Sequence, residues 1–397
     1  MRRSGFILLT SLIVIVFLTL AGTSLFVGGV SQSHTGLRTY SRSNALQLAE
    51  AGVNQAALNL QTATTTDDLG LAPVTLSAGS FTLDPAQSVG NGLTKVISTG
   101  TSQLEQRRIE AVFQLTPQSI FRFALFGDQG VTISGNALTD SYDSSKGPYN
   151  DTVGSPGYNA DHHGDVGTNR TTVGGVTVSG SLFVDGQVAV GPGVSNPTSV
   201  VSGYNPIFIT GGTSPPSDNQ DVISQSTAFV MPSTSVPQGL TCKSLTVSGN
   251  STVTLPTGGG TACVGTNCCF TTLKVSGGGK LTATGPVTVY LTNQLTASGN
   301  SVVGVANDPT KMTFLMTSIS GATLEEGSIT GSTKFYGALY GSMATIDITG
   351  NAEVYGSVIA QSVSVSGSAE VHRDTALGNN TTLSNLYKTK VVSWREL

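Results

Sequence analysis

An uncharged apolar run from Phe6 to about Val30, preceded by Arg2 and Arg3, constrains this chain more than any other feature. A run of about 25 residues makes a helix of about 37 Å, long enough to cross a bilayer with some tilt. Cationic flanks resist translocation, so Arg2 and Arg3 are expected to stay in the cytoplasm and everything beyond Val30 outside it. A secretory signal has a shorter apolar core followed by a small-x-small cleavage site. Here Ala21-Gly22-Thr23-Ser24 lies inside the apolar run, so the expectation is a retained helix. No Pro occurs between Met1 and Ala72, and Ala45 to Leu58 carries good helix formers with apolar residues near helical spacing. One helix is expected over 6–62, its first half in lipid and its second half amphipathic.

Two strings in this helix carry a family resemblance. Gly5-Phe6, after a short basic leader, resembles the cleavage junction of type IV prepilins. Leu48-Ala49-Glu50-Ala51-Gly52 is similar to the stretch that follows the apolar helix in PilX-type minor pilins and related pilus-assembly proteins. The resemblance implies a leader over 1–5, cut between Gly5 and Phe6, and methylation of the new N-terminus. It also implies a set of partners: a prepilin peptidase, an inner-membrane assembly platform, and other pilins packed along the helix. A tip adhesin or a surface glycan is a further expected contact. Major pilins place a Glu at the fifth mature position, and here that position is Thr10. A free amine without that carboxylate is costly in an apolar filament core. The resemblance therefore implies a minor, non-enzymatic subunit that primes or caps assembly. The expected location is the inner membrane, single-pass, with the body periplasmic or displayed on a pilus or cell surface.

The exported body is rich in Gly, with 49 in the 397-residue chain, and only 11% of residues are charged. A net charge of −4 and the absence of a basic patch exclude a nucleic-acid role. Over 66–118, short alternating strings such as Ser80-Phe81-Thr82-Leu83 and Arg107 to Phe113 alternate with turn residues, predicting a small antiparallel β meander. Over 120–375 a phrase recurs, an alternating strand closed by Ser/Thr-Gly. It stands at Val131–Gly135, Val176–Gly180, Leu245–Gly249, Leu273–Gly277, Leu295–Gly299, Ile346–Gly350 and Val363–Gly367. Phe335-Tyr336-Gly337-Ala338-Leu339 returns 19 residues later as Val354-Tyr355-Gly356-Ser357-Val358. Repeats near 20 residues made of short strands and Gly turns predict a large parallel β-helix, or β-solenoid. A β-sandwich head would show turn signals without a repeated phrase. Gly203 to Gly239 reads as a long excursion and 376–397 as a C-terminal tail. Asp140 to Tyr149, Gly164 to Asn169 and Gly356 to Gly367 also resemble an uncharacterised domain found after PilX-type N-termini. That resemblance implies a β-helical body and no known reaction.

The four cysteines, Cys242, Cys263, Cys268 and Cys269, are even in number and exported, so disulfides are expected. Cys268 and Cys269 are adjacent and unsuited to pairing with each other. Cys242 and Cys263 are each expected to join one of them, in either combination. Cys-x4-Cys-Cys with a distant fourth Cys matches no common structural zinc spacing. The densest polar cluster is Asp140, Asp143, Asp161, His162, His163 and Asp165. Asp140, Asp143 and Asp165 are weak calcium candidates, and the His pair could hold a transition metal. The plainer reading is a turn-rich loop in which Asp and Asn bond their own backbone. If the body were a membrane-tethered carbohydrate-active enzyme, these same carboxylates would carry it. A tethered, end-to-end polymerising scaffold is the other alternative. His34 and His372 read as surface residues. No nucleophile elbow, zinc-protease motif or phosphate loop occurs, so no enzyme activity and no cofactor are expected.

Overall fold

The computed structural model describes residues 4–62, 72–103, 105–117, 119–180, 183–203, 221–317, 326–380, 382–383 and 387–397. The chain is mainly β with one long N-terminal helix. It divides into two compact units, Met1–Pro117 with Asn385–Leu397, and Gln118–Ser384.

In the first unit a single helix, α1, runs Ser4–Thr62 without interruption. Its two halves meet different environments. Ala45, Leu48, Ala49, Val53, Ala56 and Leu60, spaced three and four apart, are buried against a six-stranded antiparallel sheet. The sheet core is Gly79–Leu83, Leu93–Ser102 and Glu105–Pro117. Leu93–Ser102 alternates buried and half-buried residues along its whole length, as a strand with one covered face must. Helix and sheet approach so closely because of two glycines. A Cβ on Gly52 would lie 2.1 Å from Ser98 Oγ, and one on Gly100 would lie 2.1 Å from Ala45 O. The small residues of the Leu48–Gly52 string therefore have a packing reason: they let α1 lie flat on the strands.

Part of the stretch expected as a C-terminal tail over 376–397 belongs to this sheet. Tyr387–Glu396 pairs antiparallel with Glu105–Pro117 as the edge strand of this sheet, and Arg395 bridges Glu110 at 2.8 Å. The pairing partner lies some 280 residues upstream, so nothing in the local pattern announces it.

The second unit is a stack of parallel strand layers. The repeated phrases lie beside one another, with Leu245, Leu273, Leu295, Ile346, Val363, Val131 and Val176 turned to one continuous apolar core. Between the Leu295 and Ile346 layers sits Glu326–Ile329. Its phrase opens on Gly327, which is why the sequence pattern passed over it. Each phrase ends on a left-handed glycine. Gly350 and Gly367 have φ of +80° and +83°, and a Cβ on Gly367 would lie 2.7 Å from Gly350 O. Glycine meets the turn and the close layer contact at once.

The layers are not stacked in chain order. Glu353–Val365, from the last full repeat, pairs in parallel with Leu125–Ile133, from the first. The stack therefore grows from Leu125–Ile133 in two directions. One runs through Val176–Val178 to Val201–Ser202. The other runs back through Glu353–Val365 and Lys334–Ile348 to Lys243–Val247.

Residues 225–242 join the two growing ends along the outside of the stack. Beneath this strap lies an outward column of apolar residues: Tyr290, Leu315, Tyr340, Ile359 and Phe126. Phe229 packs on Phe126 at 4.4 Å between ring centres, and its backbone exchanges two hydrogen bonds with the Asn169 amide, at 2.7 and 2.8 Å. Further along, Pro232 O accepts a hydrogen bond from the Tyr340 hydroxyl and Met316 O one from the Thr234 hydroxyl. Cys242 then closes the strap onto Cys269. The excursion expected over 203–239 is thus ordered from Asp221 onward; residues 204–220 lie outside the described residues.

Candidate functional site

Two features stand out as sites: the first half of α1, and a buried polar cluster in the layered unit.

From Leu9 to Val30 the apolar side chains of α1 are bare. Phe17 and Phe26 are 71% and 73% exposed. This segment of about 33 Å matches the hydrocarbon thickness of a bilayer. Among the described residues α1 is the one helix long and apolar enough to cross a membrane. Its hydroxyls are satisfied within the helix: Thr19 donates to Val16 O at 2.9 Å, Thr23 to Leu20 O at 3.0 Å and Ser24 to Ala21 O at 3.2 Å. No polar side chain among these three needs water, which is what an apolar environment demands. Gly5 and Phe6 fall within the first turns of α1, and their side chains lie outside the described residues. His34 is exposed on α1.

The polar cluster forms where four layers meet. Tyr336, Tyr355, His372 and Asp140 occupy one register column on the outward side of adjacent strands. The loop after Tyr142 folds back over them and adds Tyr149. His372 is not a surface residue, being 1% exposed. Its Nδ1 meets Asp140 Oδ1 at 2.6 Å and its Nε2 faces Glu370 Oε2 at 3.3 Å, an ion-pair contact without hydrogen-bond geometry. Tyr149 donates to the other Asp140 oxygen and packs against the imidazole, tilted by 31°, at 3.9 Å between ring centres. Tyr336 and Tyr355 stack at 4.7 Å. Burial pulls the His372 pKa down, but the hydrogen bond to Asp140, the close contact with Glu370 and the charges of both carboxylates outweigh it, and the net value is pushed up to about 9. The contact with His372 holds the Glu370 carboxyl below its usual range. Burial, then the Asp140 carboxylate, pushes the Tyr149 phenol far up. Asp374 is fully buried, and desolvation raises its pKa against hydrogen bonds from the Ser144 N–H, at 3.0 Å, and hydroxyl, at 2.6 Å.

The structure separates the three carboxylates weighed for calcium. Asp140 serves Tyr149 and His372. Asp143 accepts from the Ser145 N–H at 3.0 Å and pairs with Lys146 at 3.1 Å, a local turn. Asp165 accepts from the Gln187 N–H at 2.9 Å. His162 turns to Asp185 at 2.8 Å, and His163 faces Asp161 only distantly, at 3.9 Å. Among the described residues no three His, Cys, Asp or Glu side chains converge as a metal group. Asp140 and Asp165 fasten the loop to the layers, whereas Asp143 stays within its own turn. Cys242 is bonded to Cys269 and Cys263 to Cys268.

His372 was hidden from sequence reasoning but had a signal. Val371-His372-Arg373 aligns with Val354-Tyr355-Gly356 and Phe335-Tyr336-Gly337, so the third repeat places the imidazole in the tyrosine column.

Comparison with known proteins adds little to this geometry. A family model described as a domain of unknown function, DUF7305, matches residues 215–380, under half of the chain. No curated protein matches. Among solved structures, the competence-associated pilin ComZ of Thermus thermophilus aligns over 90% of this chain and 97% of its own. The identity is 13% and the TM-score 0.25. The DUF3494 domain of ice-binding protein 1 of Shewanella frigidimarina covers 66% of this chain and 99% of its own, at 14% identity and a TM-score of 0.27.

Proposed function

We propose that the chain is a minor pilin-like subunit, anchored and assembled through α1, that presents its layered body as a β-solenoid outside the cell. The observation that carries this reading is the division of labour along one unbroken helix. Leu9 to Val30 is bare and apolar, whereas Ala45 to Leu60 is locked onto an antiparallel sheet. A simple membrane anchor needs only the first half. A helix that continues rigidly from membrane into a small antiparallel head can pass from bilayer to filament with its head attached. The basic leader, the Gly5-Phe6 junction and the Leu48–Gly52 string support the same reading. On it, residues 1–5 are removed by a prepilin peptidase, Phe6 becomes the methylated N-terminus, and the partners of α1 are other pilin helices at the assembly platform. Thr10 in place of a glutamate favours a tip or priming position. The parallel layers and their glycine corners support the solenoid description of the body. Its display for adhesion is the role that follows.

The deciding experiment is the N-terminal mass of the protein from membranes, with and without prepilin peptidase. A start at an N-methylated Phe6 is expected. An intact Met1 in the presence of the peptidase refutes the pilin reading and leaves a tethered solenoid.

A further inference from the structure

The strap does not cover the whole apolar column. Beyond Phe126 the same register continues through Gly167, Ala189 and Ile223, and there the strap begins instead of lying over the strands. A cavity of about 320 Å³ remains at this point, floored by Ala189 and Ile223 and flanked by Phe123. We propose that it binds a carboxylate-bearing saccharide, with Arg122 as the residue that recognises the carboxylate.

Arg122 lines the cavity, its guanidinium 5.2 Å from the Phe123 ring centre and 4.8 Å from that of Phe229. The two rings hold a planar cation in place without using its N–H donors. Among the described residues no carboxylate lies within ion-pair distance of it. Asp165, also at the wall, is engaged elsewhere: it accepts from the Gln187 N–H and faces Arg373 at 3.9 Å. A pre-positioned guanidinium with its fork free is the usual means of gripping a carboxylate through two parallel hydrogen bonds.

The rest of the lining suits hydroxyls and an apolar ring face. Gln225 donates through Nε2 to Thr168 O at 2.8 Å, while its buried Oε1 accepts no hydrogen bond. Ser226 and Thr227 stand exposed at the rim. Cation, rim hydroxyls and apolar floor together describe a sugar ring carrying an acid group. The volume lies at the small end of the ligand-pocket range of about 300–1,000 Å³, which suits one ring.

This inference deepens the display role and rests on it for its biological setting, but its test does not involve processing of the N-terminus. The full chain in detergent is titrated calorimetrically with D-galacturonate, D-glucuronate and D-mannuronate, with their neutral hexoses and with acetate. At least one uronate is expected to bind, with its neutral hexose and acetate each about tenfold weaker or more, the worth of one charge-assisted contact. R122Q should lose about tenfold for the acid sugar and nothing for the neutral one. I223W, which fills the floor, should abolish binding while the melting temperature stays that of a folded protein. The proposal is overturned if no uronate binds, if acid and neutral sugars bind equally, or if R122Q binds as well as the parent. Failure here with a processed Phe6 would leave the pilin reading intact, and success with an intact Met1 would separate the two the other way.

Discussion

His372 carries its proton in a place where burial alone would strip it. The imidazole survives charged because Asp140 faces it from the adjacent strand and Glu370 from two residues back on its own strand, while Tyr149 closes the remaining side. That arrangement sets a pH dependence with a definite sign. The value in the fold, about 9, lies above the ordinary 6.5. The contribution of His372 to stability is therefore complete below about pH 6.5 and is lost as pH rises through about 9. The melting temperature of the full chain, followed from about pH 6 to about pH 10, should fall across this window, and H372Q should flatten that slope. H372A is the harsher change, because it leaves the buried Asp140 carboxylate without its charged partner and with Tyr149 as its remaining side-chain donor, at about 3–5 kcal/mol. Equal pH slopes for H372Q and the parent would rule out a charged imidazole as the cause.

At the scale of elements, the strap over 225–242 joins layers far apart in the stack, with a disulfide as its far clasp. Cys242 and Cys269 are 27 residues apart, and opening that loop in the unfolded chain is worth about 3.5 kcal/mol on the chain-entropy account. C242S/C269S should lower stability by about that amount and expose the strap between Pro232 and Cys242 to limited proteolysis, as read by mass spectrometry of the fragments. Unchanged cleavage would mean that the hydrogen bonds from Tyr340 and Thr234 hold the strap unaided. What the sequence announced at this scale depended on period. α1 was legible because its apolar spacing and lack of proline are local properties. The repeated strands were legible because Leu-Thr-Val-Ser-Gly phrases carry both the alternation and the corner. His372 was not, since a histidine in a column of tyrosines is visible only once three repeats are laid in register. Nor was the pairing of Tyr387–Glu396 with Glu105–Pro117, which depends on a partner from the other end of the chain. The Asp-rich loop drew a weak calcium reading beside the plainer one of a turn-rich loop, because acidic side chains crowd it. Their partners, His372, Lys146 and the Gln187 N–H, come from the fold and from the turn itself.

For the layered unit as a whole, the layer order could not have been read from the chain. Every phrase presents the same edge of backbone donors and acceptors and the same Val, Ile or Leu to the core, so any phrase can stack on any other. The order is decided by what the connections can span, and here the chain enters in the middle of the stack. A direct test follows from register. Thr132 lies opposite Ser364 although 232 positions separate them, and opposite Thr177 on its other side, with Ser202 one layer further on. Neighbouring strands stand about 4.8 Å apart, within the Cα range of about 4.4–6.8 Å that a disulfide spans, whereas two layers, at about 9.6 Å, exceed it. The side chains of Thr132, Ser364 and Ser202 point outward and none is part of the core. The double variant Thr132→Cys with Ser364→Cys should therefore oxidise to a single intramolecular link, seen as a mass loss of two hydrogens and a cross-linked peptide. Thr132→Cys with Ser202→Cys should stay reduced under the same conditions. Stacking in simple chain order would place the Val131 layer at one end, far from Ser364, and the first variant would then fail to link.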